Sequence, residues 1–287
     1  MSNGQSYTHA RDMENGSNNE NKLQHIDSED QLRNALTKSM TLSPELYEKV
    51  FLAPKNQVSG DLRKTFANPT PIAIMGFVVA LLPLSIEFSS VGWRGSGGTF
   101  GTPSTTCSIF FGGVLLTLGG VGEFILGNTF PFVVFFGYGA HFFTFATTFM
   151  PFYGAVSWNS LEAPGNPYSP GPTFAAGFGF YPLSLALLSF LFLICSLRTN
   201  AIFVLIFVFA TCGFSCAAAG LWYTAAGAAA TGTNLIVATG ALFFVADLLG
   251  WYLLFAIMIA TMELPVPDLP VFDLSTVIKA KSRSKQE

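Results

Sequence analysis

The chain has 287 residues, of which 51% are hydrophobic and only 11% charged, against roughly 25% charged in an ordinary soluble domain. Residues 1–66 hold eight Lys/Arg and nine Asp/Glu, which leaves six basic and eight acidic residues for the other 221. So few charges cannot cover a soluble domain, and a net charge of −3 provides no basic footprint for nucleic acid.

In chain order, residues 1–45 are rich in Asn, Ser, Gln, Glu and Asp and carry almost no apolar clusters, which predicts a disordered tail. From Ser43 to Leu52 the apolar residues Leu46, Tyr47, Val50 and Phe51 recur at i, i+1, i+4 and i+5. That spacing predicts a short amphipathic helix near 43–52, lying on the membrane or on the inner face of the protein. Asn15-Gly16-Ser17 is a formal glycosylation acceptor, unused if the tail is cytosolic. The first apolar run lies beyond residue 66, so no cleavable signal peptide is expected.

Six apolar segments follow, at about 71–92, 106–126, 131–152, 174–196, 201–223 and 234–261, each near the roughly 20 residues a membrane span requires. Gly- and Ser-rich sequence from Arg94 to Pro103 separates the first two, and Pro-, Gly- and Asn-rich sequence from Ser157 to Pro172 separates the third and fourth. The Gly127-to-Pro131 and Arg198-to-Asn200 connections are very short. An even number of spans puts both termini on one side, with Arg63, Lys64, Arg198, Lys279, Lys281, Arg283 and Lys285, and leaves Arg94 on the other. The excess of positive charge marks the cytosolic side, so both termini are expected there. The chain thus divides into a tail, 1–66, a six-helix domain, 67–265, and a C-terminal tail, 266–287.

Small residues recur at helix-packing spacing in Gly112-Gly113, Gly119-Gly120, Ala175/Gly179 and Ala228/Gly232. Close helix approach is their ordinary meaning, and a pore lining or subunit interface stays open beside it. No convincing internal repeat supports an inverted-repeat transporter. Cys107, Cys195, Cys212 and Cys216 fit no zinc spacing, and Cys212 and Cys216 read as packing residues on one helix face.

The first span opens with Asn68-Pro69-Thr70-Pro71-Ile72-Ala73-Ile74-Met75-Gly76-Phe77. A helix tolerates proline in its first turn, and Asn68 stands where an N-cap side chain takes up an orphan N–H. The string resembles the signature of the acetate uptake transporter family, which joins fungal acetate and ammonia-linked transporters with bacterial succinate–acetate permeases. Asn68, Pro69, Pro71, Gly76 and Phe77 match, while Thr70, Ile72, Ala73 and Ile74 depart; alanine at 73 replaces a glycine that would allow closer approach. Glu123, Gly127, Asn128, Thr129 and Phe130 are similar to the family's second signature. A weaker likeness covers 246–252 and the segment from Glu263 to Leu269.

Polar groups inside spans are the informative ones, since each must be paired or wetted. Glu123 closes the second span, where a carboxylate at the cytosolic edge is cheap and Asn128 or Thr129 would cap the next helix; a role in the pathway or in proton linkage stands beside that structural one. Tyr138 occupies the place of the family's pore tyrosine. The resemblance implies an apolar gate made by a Phe of the first helix (Phe77), this Tyr and a Leu of the fifth helix, controlling diameter and wetting. Ala210, followed by Thr211, stands where that Leu is expected, so either the gate is wider or Leu205 or Phe209 fills the gap. Membrane packing is the alternative role for Phe77 and Tyr138.

His141 lies one turn beyond Tyr138 and either bonds a neighbouring helix or meets a passing anion or proton. Asp247 sits mid-span, where a charge costs about 2.5–3.5 kcal/mol, so it should face the interior or water; pairing with His141 is open. Glu87 reads as an interfacial residue first and a vestibule residue second. No nucleophile–base set, phosphate loop or metal cage is legible, so no enzyme activity, cofactor or metal is expected.

The sequence therefore predicts an all-α membrane protein, with six transmembrane helices after a disordered N-terminal tail. The resemblance implies a narrow pore in each protomer, a homo-oligomer (a hexamer), and transport of acetate and related monocarboxylates. Apolar walls disfavour a bare anion, so proton-linked symport or passage of the protonated acid follows. Ammonia or ammonium export is the rival within transport, and a membrane sensor or signalling scaffold the rival of another class. Plasma membrane is the default location, since no retrieval motif ends the chain.

Overall fold

The computed structural model describes residues 65–88, 101–158 and 171–274, all within the unit Tyr47–Glu287. The readings of the tail, the amphipathic helix at 43–52, Arg94 and the basic cluster after residue 278 fall outside those residues. Among the described residues, six helices are long and apolar enough to cross a membrane: α1 (Thr70–Phe88), α2 (Thr105–Ile125), α3 (Thr129–Thr148), α4 (Pro172–Ser196), α5 (Ala201–Ala225) and α6 (Ala229–Thr261). The expected spans are all present. The largest boundary difference is α6, which starts five residues earlier than hydropathy placed it, because Ala, Thr and Gly keep its first turn helical with little apolar signal.

Helix ends are closed by local chemistry. Gly127 (φ 76) ends α2 in the left-handed region, with Asn128 N–H donating to Glu123 O at 2.9 Å and Gly127 N–H to Phe124 O at 3.0 Å. Such a Schellman turn satisfies the last carbonyls and reverses the chain at once. Gly227 (φ 84) repeats it between α5 and α6, where Ala228 N–H bonds Tyr223 O at 2.9 Å. Asn200 caps α5, its Oδ1 accepting from Phe203 N–H at 2.8 Å.

Two of these helices are irregular. Pro83 lies inside α1 and has no N–H to offer the carbonyl of Val79. The Cys107 thiol from α2 donates to that carbonyl at 3.2 Å, so the cysteine makes good the bond that proline removes. In α2 the residues Ser108–Leu115 take the wider π form, which is found mostly as short insertions near functional positions.

The small residues lie at helix contacts. A Cβ on Gly119 would come within 2.5 Å of the Ala73 Cβ, and one on Gly120 within 2.5 Å of the Phe136 ring. The π segment lays Gly112 under Phe142 and Gly113 under Phe143 of α3. Ala73 therefore keeps its methyl because Gly119 opposite has none. Within the protomer Cys212 is exposed and Cys216 half-buried, on the outer side of α5.

After α6 the chain turns at Glu263 (φ 48) and runs back across the start of α5. Asp273 pairs with Asn200 in an antiparallel bridge, Ala201 N–H donates to Phe272 O at 3.0 Å, and Leu274 N–H to Thr199 O at 2.9 Å. Tyr252 donates to Pro270 O at 2.7 Å, and Val271 is buried beneath. Residues 270–274 are thus held by the helical domain.

Overpacking a tight contact typically costs about 1–3 kcal/mol. Gly119→Ala is expected to destabilise the protein by that amount, and Ala73→Gly in the same chain to recover part of it. Thermal unfolding of the detergent-solubilised single and double variants checks the coupling.

Candidate functional site

Glu123 is the hinge of the first site. Its carboxylate has no exposed surface, although it closes α2 where the sequence places it at the edge of the span. The residue is enclosed because its two oxygens are bonded by neighbours. Thr70 Oγ1, in the first turn of α1, donates to Oε1 at 2.5 Å, and Asn128 Nδ2, at the start of α3, donates to Oε2 at 2.6 Å. Asn128 holds the N-cap position of α3 without a side-chain cap bond, and its Nδ2 donates to Glu123 instead. Asn68 does cap, its Oδ1 accepting from Thr70 N–H at 2.9 Å. Pro69 packs on Gly122, where any Cβ would overlap it. The two sequence signatures are thus one structural unit, joining α1, α2 and α3 at one end. Thr70, noted only as a departure, is one of the two donors.

Two cavities lie along the helices. The proximal one, on the Asn68 side, is lined by Ile74, Phe77, Tyr138, Phe207, Gly250 and Leu253 among others. The distal one, on the Phe88 side, is lined by Phe88, His141, Tyr181, Phe214, Thr239 and Phe243 among others. Each leaves about 30 Å³ for the centres of water-sized spheres, where a single water needs roughly 10–15 Å³. They admit a few atoms at a time.

Phe77 and Tyr138 line the same cavity. Phe77 has room there because Gly250 of α6 is bare: a Cβ at 250 would stand 2.8 Å from the Phe77 ring and 2.7 Å from Val78. Tyr138 donates to or accepts from Ser189 of α4 at 2.9 Å, so its polar tip is used and its ring edge remains. Phe207 of α5 stacks on that ring, centroids 6.2 Å apart and planes within 18°. Phe207 went unnoticed in the sequence, where it is one phenylalanine in a chain of thirty. Of the residues offered to replace the missing leucine, Leu205 is 41% exposed and points away from the interior. Ala210 is buried one turn from Phe207 of the proximal cavity and four residues from Phe214 of the distal one.

His141 Nδ1 meets the Tyr181 hydroxyl of α4 at 2.9 Å, and the ring also lines the distal cavity. It is therefore bonded to a neighbouring helix and borders the cavity at once. Glu87 is buried and accepts from Ser104 Oγ at 2.9 Å, in place of the interfacial, water-facing setting expected for it. Asp247 is wholly enclosed, and neither of its oxygens has a hydrogen-bond partner within normal geometry. Trp251, one turn on, is the donor that approaches it. Asp247 makes no bond with His141, which is taken by Tyr181.

A hydrogen bond to a charged group is worth about 1.5–3 kcal/mol. Thr70→Val is expected to lower stability by that amount, and Thr70→Ser to restore most of it. Denaturation midpoints of the purified variants decide between this and a spectator threonine, for which both changes would be neutral.

Residues 52–275 match the family model described as the GPR1/FUN34/yaaH family. The chain is 42% identical over 246 residues to Protein alcS of Aspergillus fumigatus, covering 85% of this chain and 89% of that protein. It is 28% identical over 144 residues to Ammonia transport outward protein 2 of Saccharomyces cerevisiae, covering 50% of this chain and 46% of that one. The solved structure described as the bacterial acetate channel SatP superimposes with a TM-score of 0.56 at 22% identity, covering 72% of this chain and 99% of that one. The fold is thus shared with that channel, and with a family match spanning most of its length this multi-pass membrane protein belongs to the GPR1/FUN34/yaaH family.

Proposed function

We propose that the protein moves acetate and related small monocarboxylates across a membrane through the two cavities, with Phe77 and Tyr138 of the proximal one as the gate. The observation that carries this reading is the pairing of Phe77 and Tyr138 in one narrow apolar cavity, in line with a second cavity on the same helices. A dewetted constriction of this kind passes small solutes and resists hydrated ions. The bacterial relative of the same fold is described as an acetate channel, which supports the substrate class.

Apolar walls favour the neutral acid over the bare anion, so flux is coupled to protons. The outward faces carry large apolar groups such as Phe124, Phe180, Leu187 and Phe255. They suit lipid and neighbouring copies in a homo-oligomer, with the hexamer as the assembly. The charge distribution supports cytosolic termini, and the plasma membrane is the compartment proposed. Ammonia export is the second reading, favoured by the yeast relative described as an ammonia transport outward protein.

Labelled acetate uptake at acidic pH, in cells lacking their own carrier, tests the first reading. Wild type is expected to show saturable uptake that collapses when the proton gradient is abolished. Phe77→Ala and Tyr138→Ala are expected to change its rate several-fold at equal surface expression. Background uptake from well-expressed wild type, with methylammonium efflux instead, would replace the acetate reading with the ammonia one.

A further inference from the structure

The residues of α6 that line the cavities are Ile236, Thr239 and Phe243 on the distal side and Gly250 and Leu253 on the proximal side. Their spacing marks one helical stripe. Asp247 falls on that stripe, four residues after Phe243 and three before Gly250, and it lines neither cavity. It therefore sits between the two cavities, wholly enclosed, with neither carboxylate oxygen bonded within normal geometry and the Trp251 N–H of its own helix as the neighbouring donor.

An isolated carboxylate in apolar surroundings is held only as the neutral acid or beside a compensating cation. The helices packed on α6 are α1 and α5. Among ionisable side chains α1 offers only Glu87, near its far end and bonded to Ser104. In α5 there is no Asp, Glu, His, Lys or Arg; Cys212 and Cys216 lie on its outer side, and Tyr223 is exposed near its end. Across the cavities, Tyr138 is engaged with Ser189 and His141 with Tyr181. No fixed cation compensates Asp247 from any of these elements.

We propose that Asp247 is the proton donor of the pathway, supplying a proton to a monocarboxylate anion as it crosses between the two cavities. The inference rests on the monocarboxylate reading above and names its coupling residue. In the inward direction the anion enters the distal cavity, and the O–H bond of Asp247 breaks as an O–H bond forms on the solute. The neutral acid then passes Phe77 and Tyr138 and releases its proton to water on the far side. Asp247 takes a proton from hydronium of the outer solution, so one proton and one anion cross per turn. The donor extends transport to pH values at which little neutral acid exists in solution.

The test is the pH profile of initial labelled-acetate uptake into proteoliposomes, for wild type, Asp247→Asn and Asp247→Glu. Asparagine keeps the shape and loses the transferable proton; glutamate keeps the proton. Between about pH 5.5 and 7.5, above the ordinary carboxyl range, neutral acid declines about tenfold per pH unit. Wild type and Asp247→Glu are expected to fall much less steeply than that, and Asp247→Asn to follow the neutral-acid fraction. An Asp247→Asn profile matching wild type, or a wild type that itself follows the neutral-acid fraction, overturns the donor and leaves acetate transport standing. Wild type without uptake overturns both. Should Asp247→Asn fail to reconstitute, Asp247→Ala makes the same comparison.

Discussion

A carboxylate with no exposure, two short hydrogen bonds and no counter-ion in those bonds fixes the geometry at one end of the bundle. Glu123 reaches α1 through Thr70 and α3 through Asn128, so three helices share one buried polar centre. Satisfied polar groups in a low-dielectric setting are directional and expensive to leave unmade. Lipid gives helices no hydrophobic reason to associate, so such bonds and the close approach of Gly119 and Gly122 to α1 take that role. Phe77 begins two turns above Thr70 on the same helix, and Tyr138 two to three turns into α3. The position of both rings therefore descends from the Glu123 centre.

The second constraint is the contrast between polar groups that are partnered and one that is not. Tyr138, His141 and Glu87 each have a hydroxyl opposite, from Ser189, Tyr181 and Ser104. Each can sit in apolar surroundings as a neutral or bonded group without disturbing its helix. Asp247 has none within normal geometry. Among the described residues this exception lies on the α6 stripe whose neighbours line the two cavities. Aromatic edges from Phe207, Phe214 and Phe243 close the rest of that wall.

Six helices were legible because each is a long apolar run with a polar or Gly-rich break, a signal that needs no partner chain of reasoning. Both signatures were legible as strings, and Asn68 as a cap. Their contact was not, since Thr70 and Glu123 are 53 residues apart and nothing local says that a threonine in a first turn will find a carboxylate in another helix. The same holds for Cys107, whose thiol serves a carbonyl freed by Pro83. Glu123 was legible as the residue closing its span but not as an enclosed one, because burial depends on which side chains arrive from elsewhere. Phe207 was invisible for the opposite reason: in a membrane helix full of phenylalanine, composition does not say which ring faces inward.

The central claim is that a solute meets the distal and proximal cavities in series, with a closed partition between them. Substituted-cysteine labelling tests this most directly, with the native cysteines replaced and single cysteines placed at Thr239 or Leu253. A charged, membrane-impermeant thiol reagent is expected to reach the two positions from opposite faces of the membrane, with acetate slowing both reactions. Labelling of both positions from the same face, or rates indifferent to acetate, would contradict the account.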